Sequence, residues 1–196
     1  MQWKCRMLFF MQTLFFPFYS QGQNENMGKK IIKIDLASPI YSSLSNGIAG
    51  SIFFDYNLKN HHGIQVQLFS YSFDEKNSKF KSFQFIPQYK YSFNKNYKGL
   101  YTGVYLKYKY FYEKEIIQIP KILRLEFSQQ SFNLGLILGC QIYLGSQKHF
   151  TVDILSGIGY GRIYSTNYIV KETEYIFSKD GPDGILAINL GYCFGY

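Results

Sequence analysis

The sequence predicts an all-β chain that folds as an antiparallel up-and-down transmembrane β-barrel of about eight strands. Aromatic residues make up 20% of the 196 residues, with 19 Phe and 19 Tyr, against 17% charged residues. Such rings suit pleated strands. Apolar and polar residues alternate with period two in repeated segments of about 9 to 13 residues, which fits tilted membrane-spanning strands. No apolar run reaches about 18 residues, so the sequence excludes a helical membrane bundle.

The N-terminus has the layout of a secretory signal peptide. Lys4 and Arg6 form a positive region, residues 7–19 are mainly apolar, and Ser20 and Gly22 have the spacing of a cleavage site. The predicted organisation is a cleaved signal peptide over residues 1–22, a polar leader over 23–30 and a barrel domain over 31–196.

The first four alternating segments cover residues 31–39, 47–58, a run that starts at Gly63, and 83–93. In the first segment Ile32, Ile34 and Leu36 share one face, and Lys33 and Asp35 share the other. The apolar faces of the next three are Ile48, Ile52, Phe54, Tyr56 and Leu58; then Ile64, Val66 and Leu68; then Phe83, Phe85, Tyr89, Tyr91 and Phe93. Each of these patterns is typical of a strand with one apolar face.

The last four segments cover residues 100–112, 132–144, a run that starts at Phe150, and 185–196. Their apolar faces include Leu100, Val104, Leu106 and Tyr108; Leu134, Leu136, Leu138 and Ile142; Val152, Ile154, Ile158 and Tyr160; and Leu186, Ile188, Leu190, Tyr192, Phe194 and Tyr196. Cys140 and Cys193 fall on opposite faces, so no disulfide between them is expected.

Short and long connections alternate along the chain. The short ones are 59–62, 94–99 and 145–148, and the long ones are 40–46, 74–81, 113–131 and 164–184. Outer-membrane barrels show this asymmetry, with short periplasmic turns and long extracellular loops. We therefore expect an outer-membrane location.

The polar faces indicate a narrow, filled lumen. Glycines lie on the polar face of the last three segments, at Gly135, Gly139, Gly157, Gly159, Gly161, Gly191 and Gly195. The same face of earlier segments carries bulky Phe69, Tyr71, Tyr101, Tyr105 and Phe111. Large side chains opposite small ones are how a small barrel fills its interior. The alternative is a soluble periplasmic barrel that hides its apolar face.

Aromatic and glycine patterns recur in four stretches of the chain. They are KIDLASPI, FIPQYKYSFNKNYKGLYTGVYLKYKYFY, FNLGLILGCQIYLGSQKHFTVDILSGIGYGR and INLGYCFGY. In these stretches the chain resembles an uncharacterised family of bacterial outer-membrane β-barrels, which carry a domain of unknown function and occur in Gram-negative genomes. The resemblance implies a small eight-stranded barrel and an outer-membrane location. It carries over no activity and no functional residue.

The histidines argue against catalysis. A lipid hydrolase needs a nucleophile beside a His near the outer leaflet. His61, His62 and His149 fall in the short, periplasmic connections, whereas Ser128 and Ser131 lie towards the opposite end. We therefore predict no enzyme, with no catalytic, cofactor-binding or metal-ligating residue and no cofactor. The alternative is an outer-leaflet lipid-modifying hydrolase.

Charged residues share the inner face of the predicted barrel. They are Asp35, Asp55 and Asp153 with Lys33, Lys90, Lys107 and Lys109. Eight strands leave an interior only wide enough for side chains, and charges in a dry lumen must be paired. A structural ion-pair network is therefore expected, and the alternative is a narrow pore for small solutes.

The long connections are the remaining candidates for function. Segments 113–131 and 164–184 mix basic, apolar and aromatic residues, and either contact partners or extend the neighbouring strands. The net charge of +8 is scattered, so nucleic acid is not an expected partner. Expected partners are outer-membrane lipids, lipopolysaccharide and the outer-membrane assembly machinery, with the extracellular ligand left open. The expected function is a structural or binding scaffold.

Overall fold

Nine strands and one helix make up the described part of the chain. The computed structural model describes residues 30–44, 47–58, 61–75, 78–94, 98–119, 121–144, 149–170, 173–176 and 179–194. The predicted signal peptide and polar leader lie outside these residues, apart from Lys30, and so does Tyr196. No helix in the described ranges is long and apolar enough to cross a membrane.

The elements follow in the order β1 (Lys30–Asp35), α1 (Ala37–Leu44), β2 (Ile48–Asn57), β3 (His62–Glu75), β4 (Ser78–Ser92), β5 (Gly99–Ile119), β6 (Lys121–Leu144), β7 (Phe150–Val170), β8 (Thr173–Ile176) and β9 (Lys179–Phe194).

Eight of these strands close into a barrel. Each of β1 to β6 pairs antiparallel with the strand that follows it, and β7 pairs with β9. The barrel closes where β1 pairs with β9, from Lys30 opposite Phe194 to Asp35 opposite Asn189. The four-residue β8 pairs with the far end of β7. The predicted all-β, antiparallel, up-and-down, eight-stranded barrel is confirmed.

The first strand is shorter than predicted. It ends at Asp35 rather than at residue 39, and the predicted link 40–46 begins inside helix α1. The Asp35 carboxylate accepts hydrogen bonds from the Ala37 backbone N–H (2.9 Å) and the Ser38 hydroxyl. A side chain that satisfies the first N–H groups starts a helix, and Pro39 is tolerated in the first turn. These hydrogen bonds therefore start a helix at Ala37, where the alternating pattern alone predicts that the strand continues.

Three of the predicted long links are largely strand. β3 and β4 pair up to Glu75 opposite Ser78, and β5 and β6 pair up to Ile119 opposite Lys121. Within the third link, 164–184, β7 and β8 pair up to Val170 opposite Thr173. Of the two alternatives for segment 113–131, the structure has extended strands. Continued pairing satisfies backbone N–H and C=O groups that a loop would leave to solvent.

Side chains on the two faces of the barrel have opposite character. Large apolar side chains on the outer face are exposed, for example Leu134 (62%) and Leu186 (74%). The inner face holds buried polar and charged residues together with one apolar cluster. That cluster consists of Phe53, Ile86, Tyr101, Tyr105, Ile137, Leu155, Ile185 and Ala187. The core of the fold is therefore the filled lumen.

Candidate functional site

Lys33 of β1 lies at the centre of a buried polar network in the lumen. Its Nζ is 2.7 Å from Asp55 Oδ2 and 2.5 Å from Asp153 Oδ2. The same nitrogen donates to the side-chain oxygens of Gln141 (3.0 Å) and Gln65 (3.2 Å). All three charged side chains are completely buried. One lysine from β1 therefore bridges to β2, β3, β6 and β7.

Lys90 of β4 supplies the second cation of this network. Its Nζ pairs with Asp55 Oδ2, donates to Gln65 Oε1 (3.0 Å), and lies 4.7 Å from the centre of the Tyr101 ring. The Tyr101 hydroxyl donates to Asp153 Oδ1 (2.8 Å). The network thus holds two lysines and two aspartates, and its formal charge is balanced.

The network blocks the lumen at this level. Side chains from both sides of the barrel meet at hydrogen-bond distance, and their exposed fractions are 5% or less. Charges removed from water require such compensation, because an unpaired buried charge is strongly unfavourable. The expected ion-pair network is therefore present for Lys33, Lys90, Asp55 and Asp153.

The other charged residues predicted on the inner face lie outside this network. Asp35 caps α1, as described above. Lys107 pairs with Asp183 Oδ1 at 2.6 Å and donates to the Gly184 carbonyl at 3.0 Å. The Tyr105 hydroxyl donates to the other Asp183 oxygen at 3.1 Å. Sequence reasoning missed Asp183, which falls in a predicted link. The successive pairings of β5, β6, β7 and β9 bring it near Lys107.

An open cavity of about 340 Å³, here called the vestibule, occupies the lumen between the lysine–aspartate network and the end of the barrel with the long hairpins. Its lining includes Asp35, Ser38, Gln67, Phe69, Gln84, Ile86, Lys107, Lys109, Asp183 and Ile185. Along β3, Gln67 and Phe69 follow the network residue Gln65 in the direction of the β3–β4 hairpin. The vestibule therefore lies on the side of α1 and the long hairpins, opposite the short turns.

A chain of aromatic rings continues on the inner face beyond the vestibule. Tyr71 packs edge-on against Phe80 with ring centres 5.1 Å apart, Phe80 against Phe111 at 4.6 Å, and Phe111 against Phe127 at 5.5 Å. Lys109 Nζ lies 5.6 Å from the centre of the Phe111 ring. Edge-to-face pairs of this kind stabilise the extended hairpins of β3 to β6.

The three histidines lie at the short-turn end and contact aromatic residues. His61 Nδ1 lies 2.7 Å from the Ser92 carbonyl, and His62 Nδ1 lies 2.5 Å from the Tyr89 hydroxyl. The His149 ring stacks on Tyr192 with centres 5.7 Å apart. None of these contacts is to a Ser or Cys side chain, as nucleophilic catalysis would need.

The candidate serines lie in the other half of the barrel. Ser128 and Ser131 belong to the part of β6 that pairs with Asn167 and Ile163 of β7, towards the long hairpins. The Ser131 hydroxyl accepts from the Asn133 amide (3.5 Å). In the described ranges, no group of three or more His, Cys, Asp or Glu residues could hold a metal ion.

An apolar groove of about 450 Å³ lies on the outer face beside α1. Its lining includes Ile34, Pro39, Ile52, Leu68 and Phe83. Gly50 and Ser70, which are cross-strand neighbours, form its floor because they carry little or no side chain. The outer wall therefore has a recess at the level where α1 begins.

One protein family matches most of the chain. The family described as "Protein of unknown function (DUF3575)" matches residues 11–193, which is most of the chain. Among curated proteins, none matches this sequence. Because the family match covers more than nine-tenths of its length, the chain belongs to the DUF3575 family of proteins of unknown function.

Proposed function

We propose that this protein is a non-enzymatic outer-membrane β-barrel that serves as a structural or binding scaffold. The observation that carries the proposal is the inverted distribution of side chains. Outward Ile158 and Leu186 are 75% and 74% exposed, whereas inward Lys33 and Asp153 are fully buried. A water-soluble barrel has the opposite arrangement, since burying apolar surface is what stabilises it.

Aromatic residues at both ends of the apolar wall support membrane insertion. Tyr91, Phe93, Phe150 and Tyr192 are exposed at the short-turn end. Phe132 and Tyr160 are exposed towards the other end. Rings with one wet edge are enriched at membrane–water interfaces. By analogy with outer-membrane barrels, the short turns would face the periplasm and the long hairpins and α1 would face outwards.

The outer groove supports lipids as partners. It is almost wholly apolar, and exposed Lys81 lies on β4 two residues before the groove residue Phe83. A lipid tail in the groove would bring an anionic headgroup near this lysine. Outer-leaflet lipids, including lipopolysaccharide, are therefore the proposed lipid partners. The outer-membrane assembly machinery is the proposed partner during insertion.

The sealed lumen favours a scaffold over a narrow pore. The network of Lys33, Lys90, Asp55 and Asp153 fills the barrel from wall to wall, so no continuous water path crosses that level among the described residues. Planar-bilayer recordings should therefore show no stepwise conductance. The placement of the histidines at the short-turn end argues against an outer-leaflet hydrolase, and mass spectrometry of lipid A with and without the protein tests that alternative.

Fractionation and heat modifiability together test the proposal. The full-length chain expressed in a Gram-negative host should band with the outer membrane on a density gradient. The same fraction should migrate differently on a detergent gel before and after boiling, because a closed strand ladder resists unfolding. Recovery of the folded protein in the soluble periplasmic fraction would overturn the proposal.

A further inference from the structure

The vestibule is large enough and open enough to hold a small ligand. Its volume of about 340 Å³ lies at the lower end of the range of about 300–1,000 Å³ for small-molecule sites. Its lining is mainly polar and comes from β1, β3, β4, β5 and β9 and from the start of α1. The lysine–aspartate network closes its inner end, so a ligand would enter and leave through the end with the long hairpins.

Among the charged side chains that line the vestibule, the ammonium group of Lys109 is available to contact a ligand. The Asp35 carboxylate is occupied by the first residues of α1, and the Asp183 carboxylate by Lys107 and Tyr105. Lys109 lines the cavity and has no ion-pair partner among the described residues. Its ammonium group is therefore the natural contact for one anionic group of a ligand.

An amide side chain lies beside this ammonium group. Gln84 of β4 is the direct cross-strand partner of Lys109 of β5, and both residues line the cavity. An amide offers both a donor and an acceptor, so it can pair with a ligand hydroxyl next to the anionic group held by Lys109.

We propose that the vestibule binds a small hydroxylated anion, such as a sugar acid or a sugar phosphate. Lys109 contacts the carboxylate or phosphate, and the Gln84 amide exchanges hydrogen bonds with a hydroxyl of the same ligand. Phe69 provides an apolar wall for the carbon skeleton. The two carboxylates in the lining disfavour a polyanion. The inference rests on the proposed scaffold function, because it names the class of ligand that the scaffold binds.

Calorimetric titration of the folded full-length protein in detergent micelles tests this inference. The probes are gluconate and glucose 6-phosphate, compared with neutral glucose and with hexanoate, which lacks hydroxyl groups. At least one of the two hydroxylated anions should bind at least tenfold more tightly than glucose or hexanoate. Comparing those two anions shows whether the carboxylate or the phosphate is preferred.

Variants assign the binding to the vestibule. Lys109→Met should weaken binding of the hydroxylated anion at least tenfold, and Lys109→Arg should retain most of it. Gln84→Leu should remove the advantage over hexanoate. The matched control is Lys79→Met, which removes the same charge from an exposed position paired with Asp74 and should leave binding unchanged.

Two results would overturn the inference: no binding of either hydroxylated anion by the folded wild-type protein, or equal losses for Lys109→Met and Lys79→Met. Folding of every variant is checked by the boiled-versus-unboiled gel shift. Density-gradient fractionation is independent of the titration. Binding by a protein found outside the outer membrane would contradict the proposed location but not the ligand class.

Discussion

The ring of Tyr101 occupies the space that a side chain at Gly139 would need. A Cβ added at Gly139 would meet three atoms of the Tyr101 side chain, with Cε1 at 2.8 Å. The two residues are direct partners across β5 and β6, and the Tyr101 hydroxyl reaches on to Asp153 of β7. Because Gly139 has no side chain, the Tyr101 ring fits against β6, and its hydroxyl can reach Asp153 on β7.

Gly139→Ala should destabilise the folded barrel by about 1–3 kcal/mol, as overpacking in a filled interior does. The free energy of unfolding in urea, measured in detergent or lipid, checks this. Gly50→Ala is the control, because a Cβ there meets no atom within 4 Å. In a Tyr101→Leu background, Gly139→Ala should cost less than it does in the wild type, because the ring that the new Cβ would meet is gone. An equal loss at both glycines would contradict the packing argument.

Lys33→Met should cost about 3–5 kcal/mol of unfolding free energy, because it leaves buried carboxylates without their central cation. The double variant Lys33→Met with Asp153→Asn restores one cation to one carboxylate and should recover part of that loss. Lys79→Met, in an exposed pair with Asp74, should cost less than about 1 kcal/mol. Chemical denaturation of all three variants provides the comparison, and similar losses for Lys33→Met and Lys79→Met would contradict it.

Leu190→Arg should reduce stability by roughly 2–4 kcal/mol in lipid, as expected for a charge near the middle of a lipid-facing strand. Asn189→Ser should be nearly silent. Asn189 is fully buried, yet neither of its amide atoms has a hydrogen-bond partner in the described residues. The readouts are protein recovered in outer membranes and refolding stability. Equal tolerance at the two positions would mean that this strand has no lipid face.

Cysteine labelling of whole cells should report the orientation. Glu75→Cys, at the tip of the β3–β4 hairpin, should react with an impermeant thiol reagent. Lys98→Cys, in a short connection, should not react until the outer membrane is opened. Both residues are exposed, so accessibility of the side chain itself is matched. The outward Cys140 is replaced by Ser in both variants. Labelling at residue 98 alone would invert the proposed orientation.

Period-two alternation was sufficient to predict which residues face the lumen. Lys33 and Asp153 were placed on the inner face and Leu190 on the outer face from alternation alone, and the structure agrees. The strand boundaries were less accurate. Helix α1 was missed because its start depends on hydrogen bonds from Ala37 and Ser38 to Asp35, which compete with strand pairing only locally.

The vestibule was not predictable in detail. Its lining depends on the register between strands distant in sequence, such as the alignment that brings Asp183 to Lys107. Alternation determines which face of the sheet a residue is on, but not its position along the barrel axis. The placement of Gln84 beside Lys109 likewise depends on the register of β4 and β5, which no local pattern encodes.

The pairing of β1 with β9 makes completion of the barrel depend on nearly the whole chain being delivered. Lys33 lies 22 residues from Asp55 but 120 residues from Asp153. Without β7, Lys33 and Lys90 would share the single carboxylate of Asp55, and without β9 one edge of β1 would stay unpaired. A prematurely terminated chain would therefore keep both an uncompensated ammonium group and an unpaired strand edge. Charge balance in the lumen and closure of the barrel therefore both require the C-terminal strands.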